Sequence, residues 1–262
     1  MSIYESIILG LIQGLTEFIP ISSSGHLVIA QYFMSGASDH LFFEWINIGT
    51  MLALVVYFWR RIVTIVGDIF IRKKYRLLRN ILLTSIPAGV VGYLAADMIE
   101  GSAFFGSVIV VAVMSAVVGI IMIVLEKLPK ASALKNGEAL TPMRAFVIGL
   151  AQMIALIPGT SRSGATIIAG RLSGLSAKEA AEYSFLASLP IMAGVTLKVI
   201  VKDSDYLLTH FDTLLIGNIA AFLSGLVAVG LLMRYLSRHS LALFGWYRLG
   251  LAVVLVGILL VQ

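Results

Sequence analysis

Apolar residues run almost unbroken through ten stretches of this chain, near 3–20, 24–34, 43–59, 80–97, 105–126, 144–158, 163–175, 183–200, 214–234 and 241–261. They do not alternate with polar residues, so the period-two strands of a membrane barrel are excluded and helices are predicted. Most of the stretches are long enough to span, since a helix crosses the ~30 Å hydrocarbon core with roughly 17–25 residues. Two pairs stand apart from the rest. Segments 3–20 and 24–34, and again 144–158 and 163–175, are short and are separated by a proline and a cluster of small hydroxylated residues.

Those two interruptions repeat one signature. Residues 10–25 read GLIQGLTEFIPISSSG and residues 149–164 read GLAQMIALIPGTSRSG. Aligned without gaps, Gly10, Leu11, Gln13, Ser22, Ser24 and Gly25 match Gly149, Leu150, Gln152, Ser161, Ser163 and Gly164. Broken, polar helices are tolerated at membrane depth only where they line a cavity or are buried in protein. Two copies predict a duplicated half around a shared central site, as in many transporter folds.

Composition makes the solvent explicit. Only 13% of the 262 residues are charged and 59% are hydrophobic, with a mean hydropathy of +0.99. Soluble domains carry about 25% charged residues, so this is an integral membrane protein. The absence of cysteine excludes disulfides and thiolate metal sites. The N-terminus carries Glu5 and no basic cluster, unlike a cleaved signal peptide. A net charge of +5 is read as basic cytoplasmic loops and not as a nucleic-acid surface.

The charges set the topology. Arg60, Arg61, Arg72, Lys73, Lys74, Arg76 and Arg79 form one basic linker, Lys127, Lys130, Lys135 and Arg144 a second, and Arg234, Arg238 and Arg248 a third. Asp39 with Glu44, Asp97 with Glu100, and Asp203, Asp205 and Asp212 mark acidic connections. With the basic linkers inside, 43–59, 105–126 and 214–234 run inward, and 80–97, 183–200 and 241–261 run outward. Both signature pairs then enter and leave on one face as re-entrant hairpins, the first opening outside and the second in the cytoplasm. The expected fold is all-α, with six transmembrane helices and two oppositely oriented re-entrant hairpins in an inverted-topology repeat. It forms a single polytopic domain, 1–262, with repeats near 1–126 and 144–262 and a cytoplasmic linker at 127–143.

Glu17 lies in an apolar run just before Pro20. A carboxylate at the membrane centre costs roughly 2.5–3.5 kcal/mol on insertion scales, so it pairs or serves a function. Gln13, four residues earlier, shares its helix face. The two offer three oxygens to one point, suited to a hard divalent cation; a salt bridge to a bundle arginine is the alternative. Ser22, Ser23 and Ser24 precede a helix, where a hydroxyl commonly caps free N–H groups. His26 adds an imidazole for proton transfer, and a serine beside a histidine can be a nucleophile with its base. In the second copy Ser161, Ser163 and Thr166 supply hydroxyls, and Gly164 permits close backbone approach. Arg162 supplies a fork matched to phosphate oxygens at a helix N-terminus. It pairs with an anion, with Glu17, or with both. The sum suits phosphoryl transfer on a lipid with a phosphate head.

These motifs resemble a known family. Gln13-x3-Glu17 fits an (E/Q)-x3-E motif, Ser22–His26 a serine-rich S-G-H element, and Pro158–Thr166 a P-G-x-S-R-S-x-x-T motif. The family is the bacterial undecaprenyl-diphosphate phosphatases of the bacitracin-resistance type. The resemblance extends to Ile86-Pro87-Ala88, to Glu182–Leu186 with Pro190, and to Tyr247-Arg248. It implies hydrolysis of undecaprenyl diphosphate to the monophosphate carrier and phosphate, with a divalent cation, Mg2+ or Ca2+, as cofactor. It places Gln13 and Glu17 at the metal, Ser23 and His26 as nucleophile and acid/base, and Arg162, Ser161 and Thr166 on the phosphates. Ser22, Ser24 and Ser163 join them as candidate phosphate-binding hydroxyls. Gln13 stands at the first acidic position and removes one negative charge there. The expected location is the bacterial plasma membrane, with the site opening outward; a homodimer is left open.

A polyprenyl-phosphate transporter or flippase is the alternative, since opposed hairpins suit alternating access; it does not require His26. A scaffold gives no reason for Glu17 or Arg162. Trp45, Tyr57, Trp59, Trp246 and Tyr247 are read as interfacial aromatics near span ends. Gly89, Gly92, Gly119 and Gly225 are read as helix-packing residues. Asn47 and Gln31 are polar enough to face the cavity but take no assigned role.

Overall fold

The computed structural model describes residues 1–34, 39–128 and 134–261. Lys130, residues 129–133 of the expected linker, and the side chains of Gln31, Asp97 and Glu100 lie outside the described residues. The chain is helical, in the order α1 (Ile3–Phe18), α2 (Ser23–Met34), α3 (His40–Tyr57), α4 (Trp59–Phe70), α5 (Arg76–Leu94), α6 (Ala96–Gly101), α7 (Val108–Leu125), α8 (Pro142–Ile154), α9 (Arg162–Leu172), α10 (Ala177–Lys202), α11 (Ser204–Thr209), α12 (Phe211–Leu236) and α13 (Ala242–Val261). Among the described residues six helices are long and apolar enough to cross a membrane, namely α3, α5, α7, α10, α12 and α13. The chain is a multi-pass membrane protein.

The two signature regions are built of short helices. At 1.5 Å per residue α1 extends about 24 Å and α2, α8 and α9 only about 16–20 Å, less than the hydrocarbon core. Ser2 and Glu5 start α1 with a reciprocal capping box, and α1 ends where Ile19 turns extended before Pro20. Thr141 caps α8, with Pro142 in its first turn where its missing N–H costs nothing. Ser161 caps α9 through Gly164 N–H.

Small residues set how these helices dock. A Cβ on Gly14 would lie 2.0 Å from Ser224 Oγ, so α1 presses directly against α12. A Cβ on Gly149 would lie 2.8 Å from Leu83 O, so α8 presses against α5 in the same way. Gly119 and Gly245 bring α7 against α13, each leaving under 3 Å between a would-be Cβ and the other's carbonyl oxygen. The largest buried cluster includes Phe18, Leu54, Met122, Ile148, Ile167 and Phe185, and joins both short pairs to the spans. Phe18 and Phe185 meet edge to face at 5.6 Å, a geometry worth about 0.5–1.5 kcal/mol beyond area burial.

Three expectations change. The first basic linker contains α4, a helix with no buried residue; its apolar stripe is masked in a hydropathy average by Arg60 and Arg61. Trp45 is not interfacial but buried in the cluster with Leu9, Phe42 and Ile46, because it faces the bundle side of α3. Arg248 is not a linker residue. It lies inside α13 with no exposed surface, hidden from hydropathy averaging by the apolar residues around it.

Candidate active site

The connection after α1 and the connection before α9 meet around Glu17. Its Oε1 accepts from Arg162 Nη2 at 2.5 Å. Its Oε2 accepts from Ser23 Oγ at 2.6 Å and from Gln13 Nε2 at 3.1 Å. The side chains of Glu17 and Arg162 are 12% and 21% exposed, so the pair is mostly desolvated but not sealed off. Ser163 Oγ reaches Glu17 O at 3.4 Å, joining the two loops directly. Arg162 Nη2 also lies 3.7 Å from Met192 Sδ, while its Nε and Nη1 make no hydrogen bond among the described residues.

The two loops share one backbone feature. Ser22 and Ser161, matched in the repeat, have φ of 74° and 70°. A non-glycine residue in the left-handed region costs of order 1–3 kcal/mol and persists where its surroundings over-determine it, commonly at functional sites. Each serine carbonyl accepts from the N–H four residues on, His26 N at 3.3 Å and Ala165 N at 2.9 Å. The hydroxyls pair locally, Ser22 with Ser24 at 3.3 Å and Ser161 with Ser163 at 3.2 Å. Ser22 is buried and Ser24 exposed.

The sequence reading set Ser23 beside His26; the structure sets Ser23 on Glu17. His26 Nδ1 lies 2.7 Å from Ser22 O, and a carbonyl can only accept, so Nδ1 carries a proton. In the neutral ring Nε2 then accepts from Tyr247 O–H at 2.7 Å, with the two rings stacked at 5.8 Å. Thr166 is turned away from the loops. Its hydroxyl donates to Arg162 O at 2.8 Å and pairs with Ser184 at 2.5 Å in the interior.

Two site residues carried no assignment from sequence. Asn47 Oδ1 accepts from Gln13 Nε2 at 2.6 Å; a lone amide in the apolar run of α3 was its only signal. Tyr247 was read as interfacial, because an aromatic near a span end is ordinary there.

Among the described residues no group of three His, Asp or Glu side chains is placed to hold a metal ion. Gln13 Oε1 is buried without a hydrogen-bond partner, and one carboxylate stands beside it. This donor set fits a cation of the Mg2+ kind, bound by one or two carboxylates together with substrate phosphates, and does not form an all-protein cage.

The fold and the site together define a class, a polytopic helical membrane protein with a polar, ion-paired centre where α1 and α2 meet α9. The family model described as "Bacitracin resistance protein BacA" matches residues 6–254, and the chain belongs to that family. It is 36% identical over 265 residues to the undecaprenyl-diphosphatase of Desulfitobacterium hafniense, covering 97% of this chain and 95% of that one. It is 39% identical to the undecaprenyl-diphosphatase of Thermodesulfovibrio yellowstonii, covering 97% and 96%. It is 38% identical to undecaprenyl-diphosphatase 1 of Clostridioides difficile, covering 97% and 95%.

Proposed function

We propose that this protein hydrolyses undecaprenyl diphosphate to undecaprenyl phosphate and inorganic phosphate, recycling the lipid carrier of cell-wall synthesis and conferring bacitracin resistance. The observation that carries the chemistry is the 2.6 Å bond from Ser23 Oγ to Glu17 Oε2, a nucleophile already resting on its base. Ser23 Oγ attacks the terminal phosphorus as its proton passes to Glu17. The bond to the bridging oxygen breaks, and the lipid monophosphate leaves. Water then opens the phosphoserine. Arg162 Nε and Nη1, with the free N–H groups of the first turn of α9, bind the non-bridging oxygens. Ser22, Ser24, Ser161 and Ser163 ring the same loops. His26, one turn beyond Ser23 on α2 and with Tyr247 behind it, takes the proton of the water that opens the phosphoserine.

A divalent cation, Mg2+ or Ca2+, is part of this reading. Glu17 and Gln13 Oε1 would hold it together with the diphosphate, and it would supply charge neutralisation.

The finer architecture belongs to the same proposal. The signature pairs are re-entrant hairpins of an inverted repeat, with units near 1–126 and 144–262. Matched packing supports this, since α1 lies on α12 as α8 lies on α5, and α12 lies on α3 as α5 lies on α10. The positive-inside bias supports an outward-opening site in the plasma membrane. Lipid-phosphate transport is the second reading, favoured by the same pairing.

Phosphate release from detergent-purified protein given undecaprenyl diphosphate tests the proposal, with and without EDTA and beside Ser23→Ala and Arg162→Ala. Metal-dependent release, lost in both variants, is expected. Folded wild-type protein that releases none, with lipid and cation supplied, would overturn hydrolysis and leave transport.

A further inference from the structure

Arg248 is the largest fully buried side chain among the described residues, and the chemistry above makes no use of it. Its guanidinium makes no ion pair among them. Every hydrogen bond it donates goes to a backbone carbonyl: Nε to Ser115 O at 3.4 Å, Nη1 to Pro20 O at 3.2 Å, and Nη2 to Met114 O at 3.5 Å and to Gly159 O. Pro20 and Gly159 are matched positions in the two signature copies. One planar fork therefore grips the same point of both broken loops and ties each to α7.

The surroundings fit that grip. Gly119 and Gly245 bring α7 and α13 close enough for the Arg248 stem to pack on Gly119, where an added Cβ would lie 3.2 Å from Arg248 Cβ. Val111 on α7 backs both loops. A Cβ on Gly25 would lie 2.9 Å from Val111 Cγ1, and one on Gly159, at φ +84°, 2.6 Å from Val111 O. Gly159 thus needs glycine twice, for its left-handed φ and for the close approach. A lysine could not reproduce the arrangement, because its ammonium is a point charge without the rigid fork.

We infer that Arg248 is a positioning residue that clamps the two loops at the separation where Ser23, Glu17 and Arg162 converge. It touches no reacting atom. Its removal lets the loops drift apart, and a misplacement of about 1 Å can cost about 100-fold in rate. The inference rests on the phosphatase reading for its kinetic arm and on the loops alone for its distance arm.

The experiment uses the full chain, which has no cysteine of its own. Nitroxides on Ile19→Cys and Ile157→Cys report the loop separation, and phosphate release is measured in parallel without labels. In Arg248→Met we expect a broadened, longer distance distribution. There kcat falls about 100-fold and KM stays within about threefold. Arg248→Lys should fall between this variant and the wild type in both readouts. Unchanged kcat, or a raised KM with kcat kept, overturns the clamp, as does lost turnover at an unchanged distance, which would assign Arg248 a purely electrostatic role. If Arg248→Met does not fold, Arg248→Lys carries the same readings. Wild-type protein without phosphate release would sink the enzymatic reading and leave the distance test standing.

Discussion

Glu17 divides its two carboxylate oxygens between Arg162 on one side and Ser23 with Gln13 on the other, and this division sets what each substitution should do. Ser23→Ala removes the attacking oxygen and leaves the ion pair. A loss of kcat of about 1,000-fold or more with near-wild-type thermal stability is expected, and full turnover would exclude the serine as nucleophile. Glu17→Gln removes the base and also leaves a mostly buried guanidinium without its anion. Breaking such a pair costs up to roughly 3–5 kcal/mol when fully buried, so both stability and turnover should drop, as thermal unfolding and phosphate release would register. Tyr247→Phe removes only the hydroxyl on His26 Nε2. A smaller loss is expected, about 10-fold in kcat, since general acid–base groups contribute about 100-fold or more when removed outright. Glu17 and Arg162 were legible because a charged side chain between apolar stretches has no cheap explanation, whereas Ser23 was set apart from the capping serines beside it only by the family resemblance. Tyr247 and Arg248 were not legible, because an aromatic and an arginine near a span end have an ordinary explanation.

Among helices, contact rather than composition separates one glycine from another. Gly14→Ala would push a methyl to 2.0 Å from Ser224 Oγ and 2.4 Å from Ala221 O. It should destabilise by about 1–3 kcal/mol, as overpacking does, and shift α1 with Glu17 on it. Gly89, read from sequence as a packing residue, faces nothing within 4 Å. Gly89→Ala should be neutral or stabilising by up to about 1 kcal/mol, from helix propensity alone. Thermal unfolding of the pair checks both, and equal effects would refute the docking of α1 on α12. Gly119, by contrast, does pack closely, and so does Gly225, where an added Cβ would lie 3.2 Å from Phe18. Hydropathy found the apolar helices well but placed the end of the third stretch at 59, while α3 stops at Tyr57 and α4 begins at Trp59. The averaging window merged an apolar span with an amphipathic helix whose stripe emerges only at the 3.6-residue period.

For the molecule as a whole, the charge bias makes a topological prediction. A single cysteine at Lys73 should be labelled by a membrane-impermeant maleimide only after cells are opened, and one at Asp205 in intact cells; the reverse pattern would invert the protein. The sequence by itself determined the solvent, the helices and most of the chemistry-bearing residues, because the cost of a polar group in hydrocarbon is local and can be read at each position. Only the tertiary structure decided the partners. Ser23 on Glu17, Tyr247 on His26, and Arg248 across both loops join residues from 6 to 228 positions apart. The longer of these distances are set by which helix faces pack together, and no local propensity encodes them.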